Sequence, residues 1–321
     1  MPRYVKNMVI LAKLEATAGT DAAPTGAADA VLIADSVTIT PLETKLVDRK
    51  LYLPYFGGSM QLLGSYNAKI AFSVELAGSG AAGTAPAWGD LVMACAASEA
   101  VLATPARVEY SPASTGLKTL TLCGHDDGVL HKLTGAMGTC KLSAKVGEVP
   151  RLQFEFTGVY NTATATANPT ATLTAWKVPP VVNKASVVDI TLGCTYAAGA
   201  LTGGTRFNST GIEIDLGNKL AFMQFLSEER VDITDRDCSA KFELELTAAQ
   251  EVAALADIIA NTTTSLGITL GTAAGNKHIL HAPLIQRTGI TKADKDGVRL
   301  VAFDAKLLPS SGNDDLRIVS L

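Results

Sequence analysis

This chain is short of charge. Only 18% of its 321 residues are Asp, Glu, Lys or Arg, below the roughly 25% usual in soluble domains. Its surface must therefore be filled partly by Ala, Thr, Ser and Gly. Such a surface is cheap to desolvate, because few ions must be stripped of water. That suits subunits that pack into an assembly, and an Ala-rich overall composition would give the same figure. Basic residues are not in excess either. With 27 Lys and Arg against 31 Asp and Glu the net charge is −4, and no dense basic run exists. Tight binding to a nucleic-acid backbone is not expected. A channel that surrounds nucleic acid without gripping it remains compatible with that balance.

Other absences narrow the class further. The five cysteines, Cys95, Cys123, Cys140, Cys194 and Cys238, are odd in number and widely spaced, with no CxxC pair. They offer no disulfide framework and no zinc site. Nothing reaches the run of about 18 apolar residues that a membrane helix needs, so no membrane insertion is expected. The start, MPRYVKNMVILAKLEATAG, holds only the short apolar run MVILA and does not read as a secretory signal. No GxSxG, phosphate-binding glycine loop or dinucleotide fingerprint occurs. The chain is therefore read as a non-enzyme without a cofactor. The one rival is HDDGVLH, where His125, Asp126, Asp127 and His131 could hold a metal for a hydrolase. The spacing fits no established metal motif, and Asp-Asp-Gly is an ordinary turn between strands. The pair His278 and His281 in HILH falls on opposite faces if that segment is a strand. The acidic stretch DITDRDC at 232–238 lacks the glycine of a calcium loop and carries arginines among its acids.

What is present is alternation, and it comes twice. KIAFSVEL (69–76) alternates apolar and polar residues and leads into WGDLVMACAASEA (88–100), read as a short helix. AKFELEL (240–246) alternates likewise and leads into TAAQEVAALADIIA, a helix over about 248–260. The strand recurs about 170 residues along, which marks an internal duplication. LKTLTLC (117–123), MGTCKLSAKV (137–146) and PRLQFEFTGVY (150–160) read as further strands, the last two as an antiparallel pair. In RLQFEFTGVY, Leu152, Phe154 and Phe156 share one face, opposite Gln153, Glu155 and Thr157. SVVDITLG, RFNSTGIEIDLG, TSLGITLG, NKHILHAPLIQRT and DGVRLVAFDAKLL supply strands of the second half. The expected division is an N-terminal arm at 1–30, a first domain at 31–160, a Thr/Ala/Pro-rich linker at 161–183 and a second domain at 184–321. Thr-rich chain is extended, and Pro179–Pro180 stiffens the joint.

Each half also holds one long excursion. PLETKLVDRKLYLPYFGGSMQLLGSYNA (41–68) places Tyr52, Tyr55 and Phe56 around Pro54 and Gly57–Gly58. That tip is too apolar for an idle loop, so it suggests a contact surface; folding back on its own domain is the alternative. NKLAFMQFLSEERVDITDRDC (218–238) takes the corresponding place in the second half, with Phe222 and Phe225 followed by Arg230 and Arg236. Aromatics bury much area per residue, and arginine pairs with carboxylates in fixed geometry.

Taken together, GTCKLSAKVGEVPRLQFEFTGVY (138–160) and LGNKLAFMQFLSEERVDITDRDCSAKFELEL (216–246) resemble the major tail proteins, the tail tube subunits of long-tailed and especially siphovirus-like bacteriophages. The likeness spans most of residues 30–321 and rests on element order. It implies a mainly β fold of two tandem β-sandwich or barrel tube domains, each flanked by a short helix. It implies self-association into rings stacked as a tube, through which phage double-stranded DNA passes during infection. The chain would then sit in the virion tail, assembled in the host cytoplasm, with tape measure, tail tip and tail terminator proteins as partners. Family members commonly carry one tube domain per chain in a hexameric ring. Two domains here suggest a trimer with pseudo-sixfold symmetry, the hexamer being the alternative, and a non-contractile tail is preferred. Residues 49–64 and 219–238 would contact the next ring through Tyr52, Tyr55, Phe56, Phe222, Phe225, Arg230 and Arg236. A host- or carbohydrate-binding β module of the virion is the alternative function.

Overall fold

Hairpins set the architecture, and three of the tightest are written in two-residue turns. Asp127–Gly128, Ala198–Gly199 and Asp296–Gly297 all have positive φ at both residues. That is the turn geometry whose twist matches the flanking strands. The computed structural model describes residues 2–321 and is almost entirely β. The first half contains β1 (Met8–Leu14), β2 (Ala30–Val31), β3 (Val37–Val47), β4 (Leu62–Glu75) and α1 (Gly89–Met93). It continues with β5 (Ala97–Ala103), β6 (Ala106–Pro112), β7 (Leu120–Asp126), β8 (Val129–Lys145), β9 (Arg151–Tyr160) and β10 (Thr164–Ala165). The second half contains β11 (Val187–Ala197), β12 (Ala200–Phe207), β13 (Ser209–Asp215), β14 (Asn218–Gln224), β15 (Glu229–Arg236) and β16 (Ser239–Leu244). Then follow α2 (Ala248–Ile259), β17 (Thr263–Leu270), β18 (His278–Lys295), β19 (Val298–Leu308) and β20 (Arg317–Ser320).

The duplication is visible pairing by pairing. In the first half β1 pairs with β2 and β7, β8 with β7, β9 and β10, and β4 with β3 and β9. In the second half β11 pairs with β12 and β17, β18 with β17, β19 and β20, and β16 with β13 and β19. Even a core contact repeats. Phe72 lies opposite Phe154, and Phe242 lies opposite Phe303, with ring centroids 5.9 and 5.6 Å apart. One addition breaks the symmetry, the β5–β6 hairpin of the first half, while the β14–β15 hairpin stands where the first half has the outer part of the β3–β4 arm.

The halves are welded by backbone. The long strand β8 has β9 along one edge. Its other edge is shared, first by β7 and then, from Lys141 to Lys145, by β13 of the second half. A second weld joins β20 to β6 across Val108–Tyr110. The result is one hydrogen-bonded sheet that runs from β3 to β12 through both halves. Side chains reinforce the second weld. Glu109 accepts from Arg107 at 2.6 Å and from the Tyr196 hydroxyl at 2.6 Å, with Arg317 3.5 Å away. These partners hold the Glu109 carboxyl below its ordinary range against the opposing effect of burial, which is the largest single influence on it.

Three segments differ from their sequence reading. Met8–Leu14, placed in the arm, is a core strand: Ile10 is fully buried and Leu11 nearly so. The run MVILA was the available signal. Just beyond it the buried Glu15 carboxylate accepts from Thr119, Thr121 and the backbone N–H groups of Gly19 and Gly135. A buried charge of this kind is tolerable only when so fully hydrogen-bonded. The first helix is Gly89–Met93 rather than 88–100, because Ala96 turns to φ 60° and Ala97–Ala103 is taken up by pairing with β6. Tertiary pairing there overrides the helix preference of an Ala-rich run. Residues 161–183 carry only the two-residue strand β10 and are strapped to the first half. Trp176 Nε1 donates to Ala30 O at 2.9 Å, and Val182 and Gly147 exchange backbone bonds with Glu148 and Val182.

The histidines at the seam make the fold acid-sensitive. His278 is fully buried against Trp88 of the first half, centroids 6.0 Å apart, and His281 lies against Tyr196. Burial pushes both imidazoles from 6.5 down to about 4, with Arg317 adding to the effect on His281. The unfolded chain therefore binds protons that the folded chain refuses between those values. Stability should be full above pH 6.5 and decline as pH falls toward 4, by on the order of 3 kcal/mol for the fully buried His278. Urea melts from pH 7 to 4.5 should show that decline, and H278Q should flatten part of it. A pH-independent midpoint in the parent chain would contradict this account.

Candidate interaction surface

Among the described residues no group of His, Cys, Asp and Glu is placed to hold a metal ion. Asp126 and Asp127 instead latch the N-terminus. Arg3 pairs with Asp126 at 2.5 Å, and Asp127 accepts from the Tyr4 backbone N–H and from Asn7. His125 and His131 are held neutral by desolvation, their pKa values lowered. The turn reading of HDDG is the one realised. All five cysteines are buried and unpaired in disulfides, and burial raises each thiol pKa.

The unusual feature is instead an apolar projection. Strands β3 and β4 extend beyond the sheet as a two-stranded arm closed by residues 48–61. At its tip Tyr52 and Phe56 are completely exposed and Tyr55 is 67% exposed. Leu46, Val47, Leu62 and Leu63 along the arm are also about half exposed. Isolated exposed apolar residues are normal, but a contiguous patch of this kind marks an interaction site.

The second excursion comes to the same place. β14 and β15 form a separate two-stranded sheet that packs across β8 and β9. Its root is pinned to the first half: the buried Asn218 side chain donates to Cys95 O at 2.8 Å and Gly138 O at 3.0 Å. Its far end reaches the arm, where Gln224 donates to Gly64 O at 3.3 Å. Beside that contact Leu226 is fully exposed and Phe225 half exposed. The structure thus brings the two predicted segments together on one surface.

The predicted residues divide in role. Tyr52, Tyr55, Phe56 and Phe225 face solvent, whereas Phe222 is half-buried on β14. Arg230 lies over the Phe225 ring at 5.0 Å and pairs with Glu228 and Asp232, which raises its pKa. It shapes the hairpin tip rather than offering a free charge. Arg236 is committed inside the chain, donating to both oxygens of Asp315 at 3.0 and 3.1 Å with both side chains largely buried. Its partner lies far away in sequence, so only the fold could reveal it. Gln224 and Asn218 were not singled out by sequence, whereas Leu226 stands out there beside Phe225 ahead of the charged set.

A second surface runs along the continuous sheet. A shallow concavity of about 620 Å³ crosses the weld, lined by Lys145, Glu213, Lys241, Glu243 and Asp304 among others. Charge pairs cross the strands of this face, Lys145–Glu213 at 2.6 Å and Lys241–Asp304 at 3.4 Å in the concavity and Lys141–Asp215 at 3.1 Å beside it. Exposed pairs of this kind add little stability, roughly 0–1 kcal/mol each. Their consequence is a face rich in ions but without net attraction for a polyanion.

The chain is β-rich, with a projecting apolar arm and strand edges that have no neighbour within the chain. Residues 6–318 fit the family model described as phage tail tube protein, and the chain belongs to that family. No curated protein matches it significantly.

The arm gives a direct test. Y55S/F56S should leave a soluble monomer with unchanged thermal stability, because neither ring supports the core. The same change should shorten or abolish assembly, read as filament length and yield. Normal assembly in that variant would remove the arm from the contact surface.

Proposed function

We propose that this chain is the repeating subunit of a phage tail tube whose rings stack around a channel for genome passage. Its structural role in the tail tube follows from the family. The observation that carries the finer reading is the convergence of both excursions on one apolar surface, joined by the Gln224–Gly64 contact. Two tube units, 31–160 and 184–321, are joined by the strapped segment 161–183, with β1 completing the first unit. Three such chains supply six quasi-equivalent units to a ring. The arm tip (Tyr52, Tyr55, Phe56) and the hairpin end (Phe225, Leu226) then seat on the next ring. Many weak contacts made at once give such stacking its strength. The ion-paired sheet face lines the channel, where balanced charge lets DNA slide. Tape measure, tip and terminator proteins set the start and length of the tube.

Electron micrographs of concentrated protein, with initiator and length-control proteins supplied, should show hollow and regularly striated filaments. Discrete monomers under those conditions would defeat the tube reading. A glycan-binding module, by contrast, would bind an array of oligosaccharides as an isolated chain and form no filaments.

A further inference from the structure

The internal weld is a template for the contact between chains. Apart from the β5–β6 hairpin, each strand of the first half has a counterpart in the second. Cys140 and Ile290 lie opposite the equivalent residues Phe154 and Phe303, so Lys141–Lys145 of β8 corresponds to Thr291–Lys295 of β18. Ile212 and Val37 lie opposite Phe242 and Phe72, so Gly211–Asp215 of β13 corresponds to Ser36–Thr40, which is the start of β3 and the residue before it. Within the chain these two kinds of segment meet: β8 Lys141–Lys145 pairs with β13 Gly211–Asp215. The two left over do not. β18 pairs with β17 only as far as Gln286, and its Thr291–Lys295 edge has no strand beside it. β3 pairs with β4 alone.

We infer that Thr291–Lys295 of one chain pairs with Ser36–Thr40 of a second copy, in the register of the internal weld. Thr38 then lies opposite Ala293, and Thr40 opposite Thr291. This rests on the ring reading and deepens it by naming the edges that close the ring.

Burial at the two edges agrees with a missing neighbour. Ile212 and Ile214 are each 1% exposed because β8 covers them. Their counterparts Val37 and Ile39 are only half-buried at the rim of the core. Unpaired strand edges are templates for addition of a strand from another chain. The helix beside the open edge tells the same story. α2 is held down by its polar residues, through Glu251 to Lys292 and Asp257 to Arg287. It also seats Ala254 and Ile258 on the core, yet leaves Val252, Leu255 and Ile259 facing solvent. At the internal weld the adjoining half also covers the helix end, through Asn218 to Cys95 O. The second copy would do the same here, bringing Leu42, Leu46 and Val47 of its exposed arm toward α2. One feature departs from strict repetition: Lys292 and Asp294 stand where β8 has the buried Leu142 and Ala144. The contact between chains is therefore more polar than the weld within one, and reversible assembly is consistent with that. Because the two edges are different surfaces, the contact is heterologous and generates a closed ring when its rotation permits.

Paired cysteines test the register. The double variant T38C/A293C changes two residues at or near the surface, and the five native cysteines are buried. Assembled protein is oxidised and run on a denaturing gel without reductant. Covalent multimers ending at the closed ring are expected, with about tenfold more crosslinking than in T38C/T291C. In that control the register is off by two residues, roughly 7 Å, beyond the reach of a disulfide. A mixture of the single variants T38C and A293C should give covalent dimers and nothing larger. Filaments in which T38C/A293C stays reduced, or links no better than the shifted pair, overturn the pairing while leaving the tube reading intact. Absence of any assembly, in the parent chain as well, overturns both.

Discussion

Everything in this molecule depends on the divided edge of one strand. β8 gives half of that edge to its own repeat, through β7, and the other half to the second repeat, through β13. Backbone N–H and C=O groups must be paired when water is excluded, so this sharing fixes the distance, twist and register between the repeats. The buried Ile212 and Ile214, the stacked Phe242 and Phe303, and the hairpin rooted at Asn218 all take their positions from it. A flexible linker could not impose such geometry. The strapped segment at 161–183 only carries the chain from one repeat to the other.

The same constraint decides which strand edges stay open. Duplication of a unit that shares edges leaves one donor edge and one acceptor edge unfilled, at β18 and β3. It also explains the low charge. Surfaces meant to be covered carry alanine, valine and leucine, as on α2, and ions are concentrated where they pair across strands, as on the sheet face. The apolar arm tips sit apart from these edges, so the proposed ring closure and the proposed stacking draw on different parts of the surface.

The repeat was legible in the sequence because period-two alternation and Asp-Gly turns are local signals. Asp127–Gly128 and the alternating RLQFEFTGVY needed no knowledge of distant partners. Tyr52, Tyr55 and Phe56 stand out in the sequence as an aromatic cluster around Pro54 and Gly57, but sequence alone left open whether they face solvent or fold back on their own domain. What could not be read is non-local. Met8–Leu14 is too short to declare itself a core strand until β7 lies beside it. Arg236 looked like a surface arginine until Asp315 came within 3.1 Å. The Ala-rich run after Met93 favours helix locally and becomes β5 only because β6 is available. The weld itself joins strands separated by most of a domain, and no periodicity encodes which edge meets which.

The central claim is that one chain contributes two equivalent ring positions. The mass and rotational symmetry of a single isolated ring test it most directly. Three chains of 33.3 kDa, with true threefold and approximate sixfold symmetry in a reconstruction, is the result this account predicts. Six full-length chains in one ring would contradict it.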